Sequence, residues 1–93
     1  MKILGYTYTV DRSKSVDEVG AMGRFHSKSQ VIQVANDINQ EQDESTVIHE
    51  AIEAVNYHLG MKLEHQDITA LEAALYQVLV DNGVALSPLS RVA

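Results

Sequence analysis

The sequence predicts an α+β domain in which a small, mostly antiparallel three-stranded sheet, made of an N-terminal strand plus a hairpin, packs against two antiparallel helices. Two features of the 93 residues predict it. Apolar residues alternate with period two in two stretches before residue 36 and recur with helical spacing between residues 40 and 81, the signatures that separate strands from helices. The short piece "MKLEH" is all that joins the two helical stretches, and so short a connector makes them antiparallel neighbours. Strands first and helices after is the order of a two-layer domain with its helices on one face of the sheet.

In "MKILGYTYTV", Leu4, Tyr6, Tyr8 and Val10 alternate with Ile3, Gly5, Thr7 and Thr9, predicting one half-buried strand of suitable β-branched and aromatic content. "DRSKSVDEVGAM" is polar, with Val16 and Val19 spaced by three, and predicts a loop with at most one helical turn. A hairpin follows, with a short strand at Arg24 to His26 and a polar turn at Ser27 to Ser29. Its second strand runs from Gln30 to Ala35, with Val31, Gln33 and Ala35 opposite Ile32 and Val34. Asn39 and Gln42 have the spacing of a capping box, so the first helix starts there and runs to Leu59, with Gly60 as its left-handed C-cap. The second helix runs from His65 or Gln66 to Asp81 and is closed by "DNG". Pro88 bars further helix, leaving residues 84–93 as a tail beyond a single domain at 1–83.

Composition narrows the function classes. A chain that is 45% apolar and 22% charged is globular, and no apolar run is long enough to span a bilayer. The N-terminus lacks the pattern of a signal peptide, which predicts a cytoplasmic protein. With no cysteine, His and carboxylates are the only strong metal ligands. A net charge of -6 with seven scattered basic residues argues against nucleic acid as a partner. A core this small favours a homo-oligomer, because a second copy readily covers exposed apolar surface.

Helical faces then place the polar groups. On the first helix Ile48, Ile52, Val55 and Leu59 form the predicted core stripe, flanked by Ala51, Val47 and His58. His49, Glu53 and Asn56 line the other flank, and the i, i+4 spacing lets His49 and Glu53 share one metal ion. Glu50, directly after His49, stands where it can hold the metal's water. On the second helix the stripe is Ile68, Leu71, Leu75, Val78 and Leu79, and Glu72 falls inside it. A carboxylate on a core-facing arc needs a partner. Counted from Gly60, Glu72 and His49 lie at the same height on the two helices, so Glu72 can be the third ligand, with His65 its competitor. Tyr57 and Tyr76 could donate to an oxyanion, although aromatic residues at helical spacing more often pack. His26 and His58 show no partner at useful spacing and are read as structural or exposed.

"VIHEAIEAVNYHLGMKLEHQDITALEAALYQVL", with the strand "QVIQVAN" before it, resembles the smallest zincin-type metallopeptidases, the minigluzincin-like proteins and their short phage and bacterial relatives. The resemblance spans about Gly23 to Leu79. It implies a zincin-like fold, zinc as cofactor, His49 and Glu72 as ligands, and Glu50 as the catalytic general base. It further implies that a peptide or protein partner lies along an edge strand at 30–35. The sequence departs from the family at Glu53, which stands where the second histidine of His-Glu-x-x-His belongs. Zinc accepts that carboxylate, but a second carboxylate ligand makes the ion less electrophilic and admits other divalent metals. Two functions follow: a metal-dependent peptidase, or a zincin-like scaffold without catalysis that acts as an interaction or regulatory module of phage type.

Overall fold

The computed structural model describes residues 1–13 and 22–86. Its elements are β1 (Lys2–Ile3), β2 (Tyr6–Thr7), β3 (Thr9–Ser13), β4 (Gly23–His26), β5 (Val31–Ala35), α1 (Gln40–His58) and α2 (His65–Asp81). The class is α+β, and among the described residues two of the three strand pairings are antiparallel. No described helix is long and apolar enough to cross a membrane.

The N-terminal ten residues are not one strand. Leu4 and Gly5 both take positive φ, 51° and 84°, which folds Lys2–Ile3 back onto Tyr6–Thr7 through a two-residue turn. The turn breaks the alternation. Ile3, Tyr8 and Val10 enter the core, while Leu4 and Tyr6, expected on the same face as Tyr8, are exposed. The strand that joins the main sheet is β3, and it reaches Ser13, into the segment expected to be loop. The remainder of that loop, residues 14–21, lies outside the described residues, as do residues 87–93 of the tail.

The hairpin of β4 and β5 forms as expected, with His26 opposite Val31 and Gly23 opposite Val34. The sheet order is β3-β5-β4, and β3 pairs with β5 in parallel over Thr9 to Ser13. This corrects the assignment of residues 30–35 as an edge strand: both ladders of β5 are taken, so no peptide can pair with it. Among the described residues the outer edge nearest α1 belongs to β4.

The α1 boundaries follow their caps. Asn39 Oδ1 accepts from the Gln42 backbone N–H at 2.8 Å, and the Asn39 N–H donates to Gln42 Oε1 at 3.1 Å, the reciprocal pair that fixes an N-terminus. Gly60, at φ 61°, ends the helix. Pairs between the helices run Ser45 to Glu72 and Glu44 to Tyr76, advancing on α2 as they retreat on α1, so the helices are antiparallel.

The two helices do not lie side by side on the sheet. Helix α1 packs on β4, β5 and β1, and α2 packs on α1. Val47 and Ala54 therefore join the core of Ile3, Tyr8, Val10, Ile32 and Val34, while the opposite flank of α1 meets α2. Of the stripe predicted around Ile48, Ile48 is buried and Val55 packs on the core, whereas Leu59, the C-cap residue past the end of α1, is 59% exposed. On α2 only Ile68 is fully buried; Leu71, Leu75 and Val78, expected on its core stripe, are exposed. Leu86, assigned to the tail, is buried and belongs to the domain.

Candidate metal centre

The site is built on the flank of α1 between β4 and α2. With about 100° between successive residues, Thr46, Glu50 and Tyr57 fall within an arc of about 40°, followed by Glu53 and then His49 on the side turned away from the sheet. Contacts confirm the arc. A Cβ built on Gly23 of β4 would stand 2.5 Å from Thr46 Cγ2 and 3.2 Å from Glu50 Cγ, so only glycine lets the edge strand close on Glu50. Phe25, two residues along β4, meets the Tyr57 ring.

His49 is oriented from both sides. Its Nδ1–H donates to Glu72 Oε1 at 2.7 Å, and the other Glu72 oxygen accepts from the Ser45 hydroxyl. This leaves Nε2 facing Glu53, 3.6 Å from Oε2. The His65 ring, at the first residue of α2, lies 5.2 Å from that of His49. One donor atom from each of His49, Glu53 and His65 falls within 4.8 Å of the other two. Asn56 makes this possible: its side-chain oxygen accepts from Leu63 N–H at 3.1 Å and its backbone carbonyl from Met61 N–H at 3.0 Å. These bonds tie down the connector that starts α2 beside His49.

The matching heights of His49 and Glu72 are thus borne out as a contact, but the contact is on Nδ1. Glu72 lies behind the imidazole and is not a member of the cluster; His65 takes the third position. The reason is side-chain reach. Glu72 sits on the part of α2 facing α1, level with Ser45 and His49, and its carboxylate is consumed by both. A carboxylate on the distal nitrogen of a metal-binding histidine fixes the tautomer and raises its basicity. Tyr76 is likewise turned away. Its hydroxyl donates to buried Glu44 at 3.1 Å, and with Val80, Val84 and Leu86 it lines a groove of about 510 Å³ near the start of α1. Burial and the Glu44 hydrogen bond hold the Tyr76 phenol above its ordinary pKa.

The donor set fits a divalent transition metal. Two imidazoles and one carboxylate are the ligands of a hydrolytic zinc site with one open position. Donors bound at zinc distances stand about 3.3 Å apart in a tetrahedron, so the 4.8 Å span closes with rotation of Glu53 and of exposed His65. Glu50, 7% exposed beneath Gly23, has its carboxyl pushed up to about 7, chiefly by burial. His49 opposes the rise, Glu53 and Glu72 add to it, and Arg24 opposes it. A carboxyl that titrates near neutrality can both take and return a proton.

Sequence reasoning left Ser45, Gly23 and His58 without roles. The "GRF" glycine before a strand was the available signal for close approach of β4. His58, read as lacking a partner, shares a 2.7 Å hydrogen bond with the Tyr8 hydroxyl and stacks on Tyr6; His26 Nε2–H donates to Gln33 Oε1 at 2.7 Å. Compared with known protein families, with curated proteins and with solved structures, the chain matches none of them.

Proposed function

We propose that this chain is a minimal zincin-like metal-binding protein that hydrolyses peptide bonds, with His49, Glu53 and His65 as the ligands of a zinc-class ion. The observation that carries the reading is the convergence of these three donors on one flank of α1, with Glu72 fixing the His49 tautomer. When bound at such a set, the ion supplies a Lewis acid for a carbonyl oxygen and lowers the pKa of water. Glu50 receives the proton of the attacking water on its carboxylate and returns it to the departing amine. Glu72 holds the Nδ1 proton of His49 throughout, and Ser45 holds Glu72. The substrate backbone pairs with the outer edge of β4, whose Gly23 lies over Glu50.

The burial of Glu50 favours a second reading, a binding module of the same fold whose inward carboxyl no longer reaches substrate. Metal analysis of purified protein, with peptide hydrolysis measured alongside, separates the two. One equivalent of metal is expected, lost in His49→Ala and in His65→Ala. Glu50→Gln should keep the metal and abolish hydrolysis. Metal bound with no hydrolysis by the wild type selects the binding module, and absence of stoichiometric metal ends the peptidase reading.

A further inference from the structure

The geometry points to the exposed aromatic surface of Tyr57 and Tyr6, backed by Phe25 and His58, as a subsite for an apolar or aromatic side chain of a peptide lying along β4. The inference rests on the reading of β4 and the metal cluster as a peptide site and adds to it what the peptide must carry.

Tyr57 stands one helical turn beyond Glu53 on the same flank of α1, about 6 Å along the axis. It is 58% exposed, yet its ring is held. Phe25 meets it edge-to-face at 5.7 Å and 62°, and His58 at 5.2 Å and 81°. His58 is fixed in turn by Tyr6, stacked at 4.0 Å and 8°, and by the hydroxyl of fully buried Tyr8. Tyr6 is itself 44% exposed. An apolar surface whose rings are already locked in place loses little conformational freedom when something lands on it.

The register along β4 says which residue lands there. Gly23 and Phe25 face α1, opposite inward-facing Val34 and Ile32, whereas Arg24 and His26 lie opposite Gln33 and Val31 on the other face. A peptide paired with β4 repeats that alternation. The residue held level with Gly23 is at Glu50, and the next side chain on the same face, about 7 Å away, is level with Phe25 and Tyr57. In the antiparallel direction that side chain lies two residues N-terminal to the one at Glu50. Aromatic pairs and apolar burial there favour Phe, Leu or Tyr over small or charged residues.

The test uses zinc-loaded full-length protein and a series of acetyl-X-Ala-Ala hydroxamates, with X as Phe, Leu, Ala or Asp, titrated calorimetrically. The hydroxamate anchors one end at the metal, so X is the only variable. The expected result is binding about tenfold tighter for Phe than for Ala. That ratio should collapse in Tyr57→Ala and survive in Tyr57→Phe, with zinc content equal in all three proteins. Equal binding of all four compounds, or an unchanged Phe preference in Tyr57→Ala, overturns the subsite while leaving the metal site standing. Absence of hydroxamate binding at any X, with zinc bound, overturns the peptide-site reading and the subsite with it.

Discussion

Glu50→Gln tests whether the carboxylate beneath Gly23 is held for chemistry at a cost to the fold. In the metal-free protein the folded state raises the Glu50 carboxyl from its ordinary 4.5 to about 7, with burial the largest cause. A carboxyl with a raised folded pKa binds its proton more tightly in the folded state than in the unfolded one. Its contribution to stability is therefore fully present below about 4.5 and is lost as pH climbs through about 7. The shift corresponds to at most about 3 kcal/mol at a residue that is 7% exposed. Glutamine keeps the shape and cannot ionise. Thermal unfolding followed by circular dichroism in chelator should find wild type and Glu50→Gln nearly alike at pH 4. At pH 8 the variant should melt higher by on the order of 10 °C, since about 1 kcal/mol moves the midpoint of a domain this size by several degrees. Parallel pH profiles for the two proteins would refute the burial argument and, with it, Glu50 as a proton carrier poised near neutrality.

Glu72→Gln keeps an oxygen for His49 Nδ1–H but loses the charge, so metal affinity measured against a chromophoric chelator should fall about 10- to 100-fold. A loss as complete as that of His65→Ala would instead make Glu72 a ligand. Gly23→Ala places a methyl 2.5 Å from Thr46 Cγ2; urea unfolding should show about 1–3 kcal/mol of destabilisation, partly recovered by Thr46→Ser, and no loss would contradict the close seating of β4 on α1. Asn56→Ala removes the acceptor of Leu63 N–H and frees the connector, so metal affinity should drop although no ligand has changed; unaltered affinity would show that His65 is placed without it.

How much of this was legible in the sequence depends on whether the signal was local. The capping box at Asn39 and Gln42 and the glycine at 60 mark α1 because each acts within one turn of the chain. The hairpin at 23–35 was legible for the same reason. The N-terminal turn was not, because Leu4 is a poor candidate for positive φ and Tyr6 and Tyr8 continue a period-two pattern across it. Nor could alternation say that β5 is central: strand order is set by the parallel return of β3, a contact between residues 22 apart in the chain, as in the pairing of Thr9 with Val31. With α2 stacked on α1 the buried residues of α1 spread beyond one stripe: Ile48 is buried as expected, but Val47 and Ala54 are buried more deeply, since a helix packed on two sides has no single apolar stripe.

For the site, helical spacing placed His49, Glu53 and Glu72 at one level but could not say which imidazole nitrogen each carboxylate meets. That distinction decides the chemistry. With Glu72 as a ligand the site would hold one imidazole and two carboxylates, a hard set that neutralises most of the metal charge and serves Mg or Mn as readily as Zn. With Glu72 on Nδ1 and His65 brought in by Asn56, the set becomes two imidazoles and one carboxylate. This is the composition of hydrolytic zinc sites, and more of the ion's positive charge remains to act on a carbonyl. Under the proposed reading, Glu53, which departs from the His-Glu-x-x-His pattern, is the one carboxylate of the set rather than a second one. In the proposed site the second histidine would come from the start of α2, and the Glu53 carboxylate would take the role that the resemblance gave to Glu72.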